Sequence, residues 1–230
     1  MRRHRIASGR LVASLLGLTF LSLPLVACGD DDNGAASPDG GRATQAFLEA
    51  MTPHHLSAVE MAEVAEDRAE HQEVRGLARD IIAAQEREIE LMAAIHERLF
   101  DRELEPNGGS YRDLGLTADE AGAGGHPDTA ALRRADPFDR EFIDMMVPHH
   151  QGAIRMARAV LEKTDDSGIQ MLATEIVDAQ SREIRRMNEW RTAWYGAASP
   201  AGGVPPASGE AGPEAGGEHN STGEDSDSKH

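Results

Sequence analysis

The clearest feature of the chain is a helical repeat in two separate stretches. In the first, positions three or four apart form one stripe that includes two polar residues: Val74, Leu77, Ile81, Gln85, Glu88, Met92, Ile95 and Leu99. The second stretch has the same stripe: Ile169, Leu172, Ile176, Gln180, Glu183, Met187, Trp190 and Trp194. This spacing places the side chains on one face of an α-helix. Each stretch is predicted to be an amphipathic helix that packs one face against partners.

The two stretches belong to an internal duplication. Residue 47 aligns with residue 142, and the offset of 95 holds without a gap as far as the pair 92/187. Of these 46 aligned pairs, 17 are identical, which indicates a repeated structural unit. Each unit has a second helix upstream, with breaks near His71 and at residues 165–168. We predict an all-α fold, a four-helix bundle of two repeated αα-hairpins over residues 43–196, with units 43–100 and 138–195.

The segments outside the two units have loop-like compositions. Residues 101–137 contain several Gly and Pro and are predicted to be a linker that is mostly loop, with a short helix near Thr117–Ala121. Residues 197–230 are rich in Gly, Pro, Ala, Ser and acidic residues and are predicted to be a disordered acidic tail.

The N-terminus resembles an export signal. Four arginines precede an apolar run that ends in Leu25-Val26-Ala27-Cys28. A basic start, an apolar middle and small residues at the end are typical of a secretory signal peptide, and the run is short for a transmembrane anchor. The single Cys of the chain lies where bacterial lipoproteins carry their lipid. We expect a signal peptide at 1–27, lipidation at Cys28 and a flexible tether at 28–42.

Charge and aromatic content narrow the function classes. The 230 residues contain 23 Lys+Arg against 40 Asp+Glu, a formal net charge of −17. Nucleic-acid binding relies on clustered basic residues that displace counterions, so no nucleic-acid partner is expected. Aromatic residues make up only 4% of the chain, which suits an aliphatic helical core.

The strongest local motif is Met-x-Pro-His-His, which occurs once in each unit, at residues 51–55 and 146–150. On a helix, the Met lies about 4.5 Å along the axis from the first His and about 6 Å from the second, close enough to share one ion. Methionine exchanges readily in cores, so its retention at the pairs 51/146, 61/156 and 92/187 indicates that the sulfur matters. The candidate metal ligands are Met51, His54, His55, Met92, Met146, His149, His150 and Met187.

Other residues are predicted to support these ligands. Four polar residues lie on the stripe at the level of the motif: Gln85, Glu88, Gln180 and Glu183. They are expected either to fix imidazole tautomers by hydrogen bonds or to pair with neighbouring arginines. Three further methionines are additional ligands or core residues: Met61, Met156 and Met145. The motif prolines are predicted to kink their helices, so that one His of each pair faces inward and the other reaches the surface. His71 and His96 are expected to be surface residues.

Ligand softness indicates the metal. Thioether with imidazole suits Cu(I) and, by analogy, Ag(I), whereas carboxylate with imidazole suits iron or manganese. Met51 and Met146 stand where carboxylate-bridged bundles carry the Glu of Glu-x-x-His. We expect an extracytoplasmic, lipid-anchored, non-enzymatic protein that binds Cu(I) or Ag(I) for sequestration, tolerance or transfer to a partner protein. The alternatives are an iron- or haem-binding redox bundle and a helical envelope adaptor that binds no metal.

At these residues the sequence resembles a bacterial family described as a domain of unknown function, whose members include CopM-type periplasmic copper-binding proteins. The resemblance covers about residues 43–196 and rests on Phe-x-x-x-Met-x-Pro-His-His, a later Met, and Gln-x-x-Glu-Ile-x-x-Met, present in both units. It implies a ferritin-like four-helix bundle and copper binding in the envelope.

Overall fold

The computed structural model describes residues 38–124 and 127–207. These residues form five α-helices and one short 3₁₀ turn: α1 Pro38–Arg68, α2 Gln72–Phe100, the 3₁₀ turn Ser110–Leu114, α3 Thr129–Arg134, α4 Phe138–Leu161 and α5 Ser167–Tyr195. No β-strand occurs in this part of the chain. The predicted all-α fold is confirmed.

The four long helices form two antiparallel hairpins, as the duplication predicts. Helices α1 and α2 pair closely, as do α4 and α5, and α1 also packs against α4. The breaks between helices lie where they were expected: α2 begins after His71, and α5 begins after Asp166, whose carboxylate accepts a hydrogen bond from the Ile169 amide at 3.0 Å. The Asp166 cap satisfies an amide that the helix itself leaves unpaired.

Aliphatic and methionine side chains fill the core in two hydrophobic clusters. Along α1, residues 43–51 belong to one cluster and residues 58–69 to the other. Residues 52–57, which include both histidines of the motif, lie between them. The same division occurs in α4, so each Pro-His-His motif occupies a polar gap in an otherwise apolar interface.

The linker folds against the α1–α4 face. Its predicted helix at 117–121 is only a turn, although the Glu120 carboxylate accepts from the Thr117 amide at 2.8 Å and the Glu120 amide donates to Thr117 Oγ1 at 3.3 Å. The chain leaves the turn at Gly122, which has a positive φ of 63°. A left-handed residue ends the helical path at once.

Two predicted boundaries need correction. Helix α1 begins at Pro38, inside the segment 28–42 that was expected to be a flexible tether. Residues 197–207, expected to be disordered, pack on α4 and α5 as a C-terminal strap. Its carbonyl groups accept hydrogen bonds from Gln151, Asn188 and Arg158 at 2.6–2.8 Å. Glycine and proline do not prevent order where carbonyl groups have fixed donors.

The predicted signal peptide, Cys28 and the tail beyond residue 207 lie outside the described residues. Among the helices that are described, none has the length and apolarity needed to cross a bilayer.

Candidate metal centre

The antiparallel crossing of α1 and α4 brings the two Pro-His-His motifs together. The ring centroids of His54 and His149 are 3.8 Å apart, with 37° between the ring planes. His55 lies 6.5 Å from His54, and His150 lies 6.4 Å from His149. The four imidazoles therefore form one cluster, with His54 and His149 at its centre, rather than two separate pairs.

The second helix of each hairpin supplies a carboxylate to the outer histidines. Glu88 on α2 lies 2.6 Å from His55 Nε2, and Glu183 on α5 lies 2.7 Å from His150 Nε2. Each contact fixes its imidazole in one orientation and leaves Nδ1 as the remaining ring nitrogen.

Within the described residues, the two glutamines make neither the hydrogen bond to imidazole nor the pairing with arginine that the sequence offered as alternatives. Gln85 and Gln180 are each 3% exposed, and their Oε1 atoms have no partner among the described residues.

The histidine cluster is buried and incompletely hydrogen-bonded. His55 and His150 are fully buried, and His54 and His149 are 8% and 9% exposed. The Nδ1 atoms of all four rings, and also His54 Nε2, have no hydrogen-bond partner in the described structure. An unpaired buried polar atom costs about 1–3 kcal/mol, so five such atoms in one place mark the cluster as a candidate binding site.

Burial also keeps the central rings uncharged. Desolvation, together with the nearby His55 and His150, lowers the pKa of His54 to about 3. Desolvation likewise depresses the pKa of His149 well below its usual 6.5, reinforced by the neighbouring histidines. Neutral imidazoles at neutral pH are in the form that binds metal ions.

The expected exposure of one histidine per pair is wrong. The linker accounts for this burial. Its turn at residues 121–122 packs against Gly152 and lies beside the His54 ring, which it shields from solvent. His96 is also not a surface residue: it is 1% exposed and its Nδ1 lies 3.0 Å from the Arg102 carbonyl. His71 is half-buried and lies 2.6 Å from Asp139.

The candidate methionines lie in the two hydrophobic clusters beside the histidines. Each cluster combines two methionines of one hairpin with one from the other: Met51, Met92 and Met156 in the first, Met146, Met187 and Met61 in the second. All six are at most 1% exposed. Met61, expected to be an additional ligand or a core residue, shares a cluster with Met146. Met145 is half-buried and packs at the edge of the second cluster.

Sequence reasoning missed Ser57 and its counterpart Gly152. Ser57 Oγ lies 2.7 Å from His149 Nε2 and donates to the His54 carbonyl at 2.8 Å. At the equivalent position in α4, Gly152 has no side chain, and the backbone of the linker turn occupies the space. A glycine inside a predicted helix was the available signal for this close approach.

The site is not a preformed carboxylate–histidine centre. Within residues 38–124 and 127–207, no group of three or more His, Cys, Asp or Glu side chains is arranged to hold a metal ion. The residue types present here, imidazole and thioether, are softer ligands than carboxylates and suit copper or silver better than Mg²⁺, Ca²⁺ or Mn²⁺.

Comparison with known proteins identifies the family. A family model described as "Domain of unknown function (DUF305)" matches residues 44–191 and again 139–227. The chain belongs to the DUF305 family.

Solved structures of the family share this fold. CopM in the Cu(I)-bound form is similar at 39% identity and a TM-score of 0.57, covering 66% of this chain and 97% of CopM. CopM in an Ag-bound form obtained by soaking matches at 39% identity and a TM-score of 0.56, covering 66% and 96%. A putative secreted DUF305 protein from Streptomyces coelicolor matches at 26% identity and a TM-score of 0.60, covering 68% and 96%.

An uncharacterized protein, L153, of Acanthamoeba polyphaga mimivirus is 40% identical over 50 residues, which cover 22% of this chain and 33% of that protein. The match therefore spans about one third of the viral protein's length.

Proposed function

We propose that this protein binds Cu(I) and Ag(I) at the histidine cluster where α1 crosses α4. The observation that carries this proposal is the set of four buried imidazoles, each with Nδ1 free of hydrogen bonds. Glu88 and Glu183 orient the outer two rings, and methionines of both hydrophobic clusters supply soft donors. The Cu(I)- and Ag-bound forms of CopM support this choice of metal.

The bundle would provide donors and exclude water rather than perform catalysis. Burial keeps His54 and His149 neutral, so a cation competes with few protons at these rings. Ser57 Oγ gives its proton to the His54 carbonyl and therefore accepts a hydrogen bond from His149 Nε2, which leaves Nδ1 as the nitrogen of that ring that can bind a metal ion. Imidazole and thioether ligands hold a soft cation in preference to hard ones. Such binding would suit sequestration of the ion or its transfer to a partner protein.

An anaerobic Cu(I) titration against a competing chelator tests this proposal. Loss of a residue that only orients a metal ligand weakens binding by about 10–100-fold. The variant His54→Asn/His149→Asn removes two ligands themselves, so we expect it to weaken Cu(I) binding by more than about 100-fold. Met51→Leu/Met146→Leu should weaken it as well, whereas Met171→Leu, an exposed methionine outside both clusters, should not. Unchanged affinity in both double variants would contradict the proposal, as would a Soret or ferric band in the isolated protein.

We also propose that the protein acts in the cell envelope, anchored by lipid at Cys28. The sequence around Cys28 supports this location. Metabolic labelling with a fatty acid should mark the wild type but not Cys28→Ser, and the variant should leave the membrane fraction. Labelling of Cys28→Ser, or its retention in the membrane, would contradict the anchor without affecting metal binding.

A further inference from the structure

Two cavities flank the central histidine pair, and the internal duplication relates them. The neutral mouth, of about 220 Å³, contains Ala50, Pro53 and His54 of α1 and Met156 of α4. The acidic mouth, of about 710 Å³, contains their counterparts Met145, Pro148 and His149 of α4 and Met61 of α1. Gly122 and Pro127 of the linker line both. Each mouth therefore leads to one central histidine and includes a methionine from the other hairpin.

The two mouths differ in charge. Among the described residues, no charged side chain lines the neutral mouth. The acidic mouth has Asp119, Glu120 and Asp144 against one base, Arg155. Asp144 already binds Arg191 at 2.7 Å, and Arg155 lies beside Glu120, donating to its backbone carbonyl at 3.4 Å. The carboxylates of Asp119 and Glu120 outnumber this one guanidinium, so a net negative charge remains to attract a cation.

Both linker carboxylates line the acidic mouth. Hydrogen bonds from the Thr117 amide and hydroxyl lower the pKa of Glu120, which is held at 2.8 Å from both groups. Asp119 is exposed and forms no ion pair with any described residue. The turn thus places two negative charges at the rim of one mouth only.

The mouths also differ in soft donors. Met145 is half-buried in the acidic mouth, whereas its counterpart in the neutral mouth is Ala50. His149 is about nine-tenths buried, lines the acidic mouth, and has no partner at Nδ1. A thioether, an imidazole nitrogen and two carboxylates therefore converge on one opening.

We propose that the acidic mouth is a capture site for Cu(I) or Ag(I), in which Met145, Met61 and His149 bind the cation before it reaches the other histidines. This inference rests on the proposed function and adds the route of entry. The carboxylates raise the local concentration of cations, and the thioethers select soft ones.

Titration with Ag⁺ in chloride-free buffer tests the route, using full-length protein with ¹³C-labelled methionine methyl groups. We expect the Met145 and Met61 signals to shift during the first equivalent, before the Met156 signal. Met145→Ala, which makes this mouth resemble the neutral one, should weaken Ag⁺ binding about tenfold. Met171→Ala, at an exposed methionine elsewhere, should leave it unchanged. A Met156 signal that shifts before those of Met145 and Met61, or unaltered affinity in Met145→Ala, would overturn the proposal.

The contribution of the two linker carboxylates to Ag⁺ binding is tested separately with the variant Asp119→Asn/Glu120→Gln. Two water-screened charges within about 10 Å should change Ag⁺ affinity about fourfold at low ionic strength, and less at high salt. The control Glu86→Gln/Glu90→Gln removes two exposed charges from α2 and should have little effect. Equal losses in both variants would refute a specific role for the mouth.

The outcomes separate the two proposals. A second sample with ¹⁵N-labelled histidine reports on the imidazoles. If the four imidazole signals shift with Ag⁺ but the acidic-mouth variants behave as wild type, the route is wrong and the metal site remains. If no imidazole signal shifts, the proposed function itself fails.

Discussion

At the residue scale, the two copies of one motif acquire different surroundings. His54 and His149 occupy equivalent positions, yet only His149 has a hydrogen-bond partner, Ser57. The sequence indicated both histidines because their motif is repeated. It could not indicate Ser57, because the equivalent residue is Gly152 and the contact crosses between hairpins.

The depressed pKa values of the central histidines predict a pH dependence of stability. The pKa of folded His54 is about 3, below the ordinary 6.5, and that of His149 is depressed in the same direction. On acidification the unfolded chain therefore binds protons that the folded chain cannot. Below about pH 6.5, the free energy of unfolding should fall by roughly 1.4 kcal/mol per pH unit for each histidine.

Urea unfolding of the metal-free protein between about pH 7.5 and 5 measures this dependence. The variant His54→Asn/His149→Asn should lose much of the slope in that range. If acid destabilises wild type and variant equally, the stability change comes from other groups.

A second residue-scale prediction concerns Gly152. A Cβ atom there would clash with the Ala121 carbonyl and lie 2.6 Å from the Gly122 amide nitrogen. Gly152→Ala should therefore destabilise the protein by about 1–3 kcal/mol and displace the linker turn from His54. Gly76→Ala is the matched control, since a helical Cβ at Gly76 meets no atom within 4 Å. It should stabilise the protein by about 0.5–1 kcal/mol. Equal effects of the two substitutions would contradict the close approach.

At the element scale, each hairpin turn is hydrogen-bonded to the first helix of the other hairpin. Asp139 near the start of α4 accepts from the Glu70 and His71 amides at 3.0 and 2.8 Å, just before α2 begins. Its counterpart Thr44 on α1 lies 3.0 Å from Thr164, just before α5. The apolar stripe predicted helix positions well, because burial sets the spacing. The apolar stripe gave no information on these attachments, because a hydrogen bond between hairpins leaves no hydrophobic pattern.

The two attachments should differ in strength. Asp139→Ala removes a fully buried carboxylate and leaves two amides without their acceptor, so it should lower the free energy of unfolding by about 3 kcal/mol. Thr44→Val removes one neutral hydrogen bond and should lower it by about 1 kcal/mol. Urea denaturation followed by circular dichroism compares them. A loss for Asp139→Ala no larger than that for Thr44→Val would show that the carboxylate contributes little.

At the scale of the whole molecule, the duplication made the fold predictable, since two equivalent amphipathic hairpins need each other to bury their faces. It left open whether the two motifs form one site or two, and the structure joins them in one cluster where α1 crosses α4. The departures come from parts outside the repeat. The linker covers His54, and the strap packs on α4 and α5 through its backbone carbonyl groups. Hydrogen bonds to backbone carbonyl groups leave no hydrophobic pattern in the sequence. The Gly- and Pro-rich composition of the strap was therefore the only signal, and it suggested disorder.

The strap therefore gives a prediction for the whole chain. A protein ending at residue 207 keeps every contact of the described strap. One ending at Gly196 loses the acceptors of Gln151, Asn188 and Arg158. Several part-exposed hydrogen bonds together contribute about 2 kcal/mol, so the melting temperature should fall by roughly 4–8 °C in the shorter protein only. The α4–α5 hairpin would lose this support and α1–α2 would not, so hydrogen exchange should rise selectively in α4 and α5. Equal melting temperatures for the two truncations would mean that the strap adds no stability.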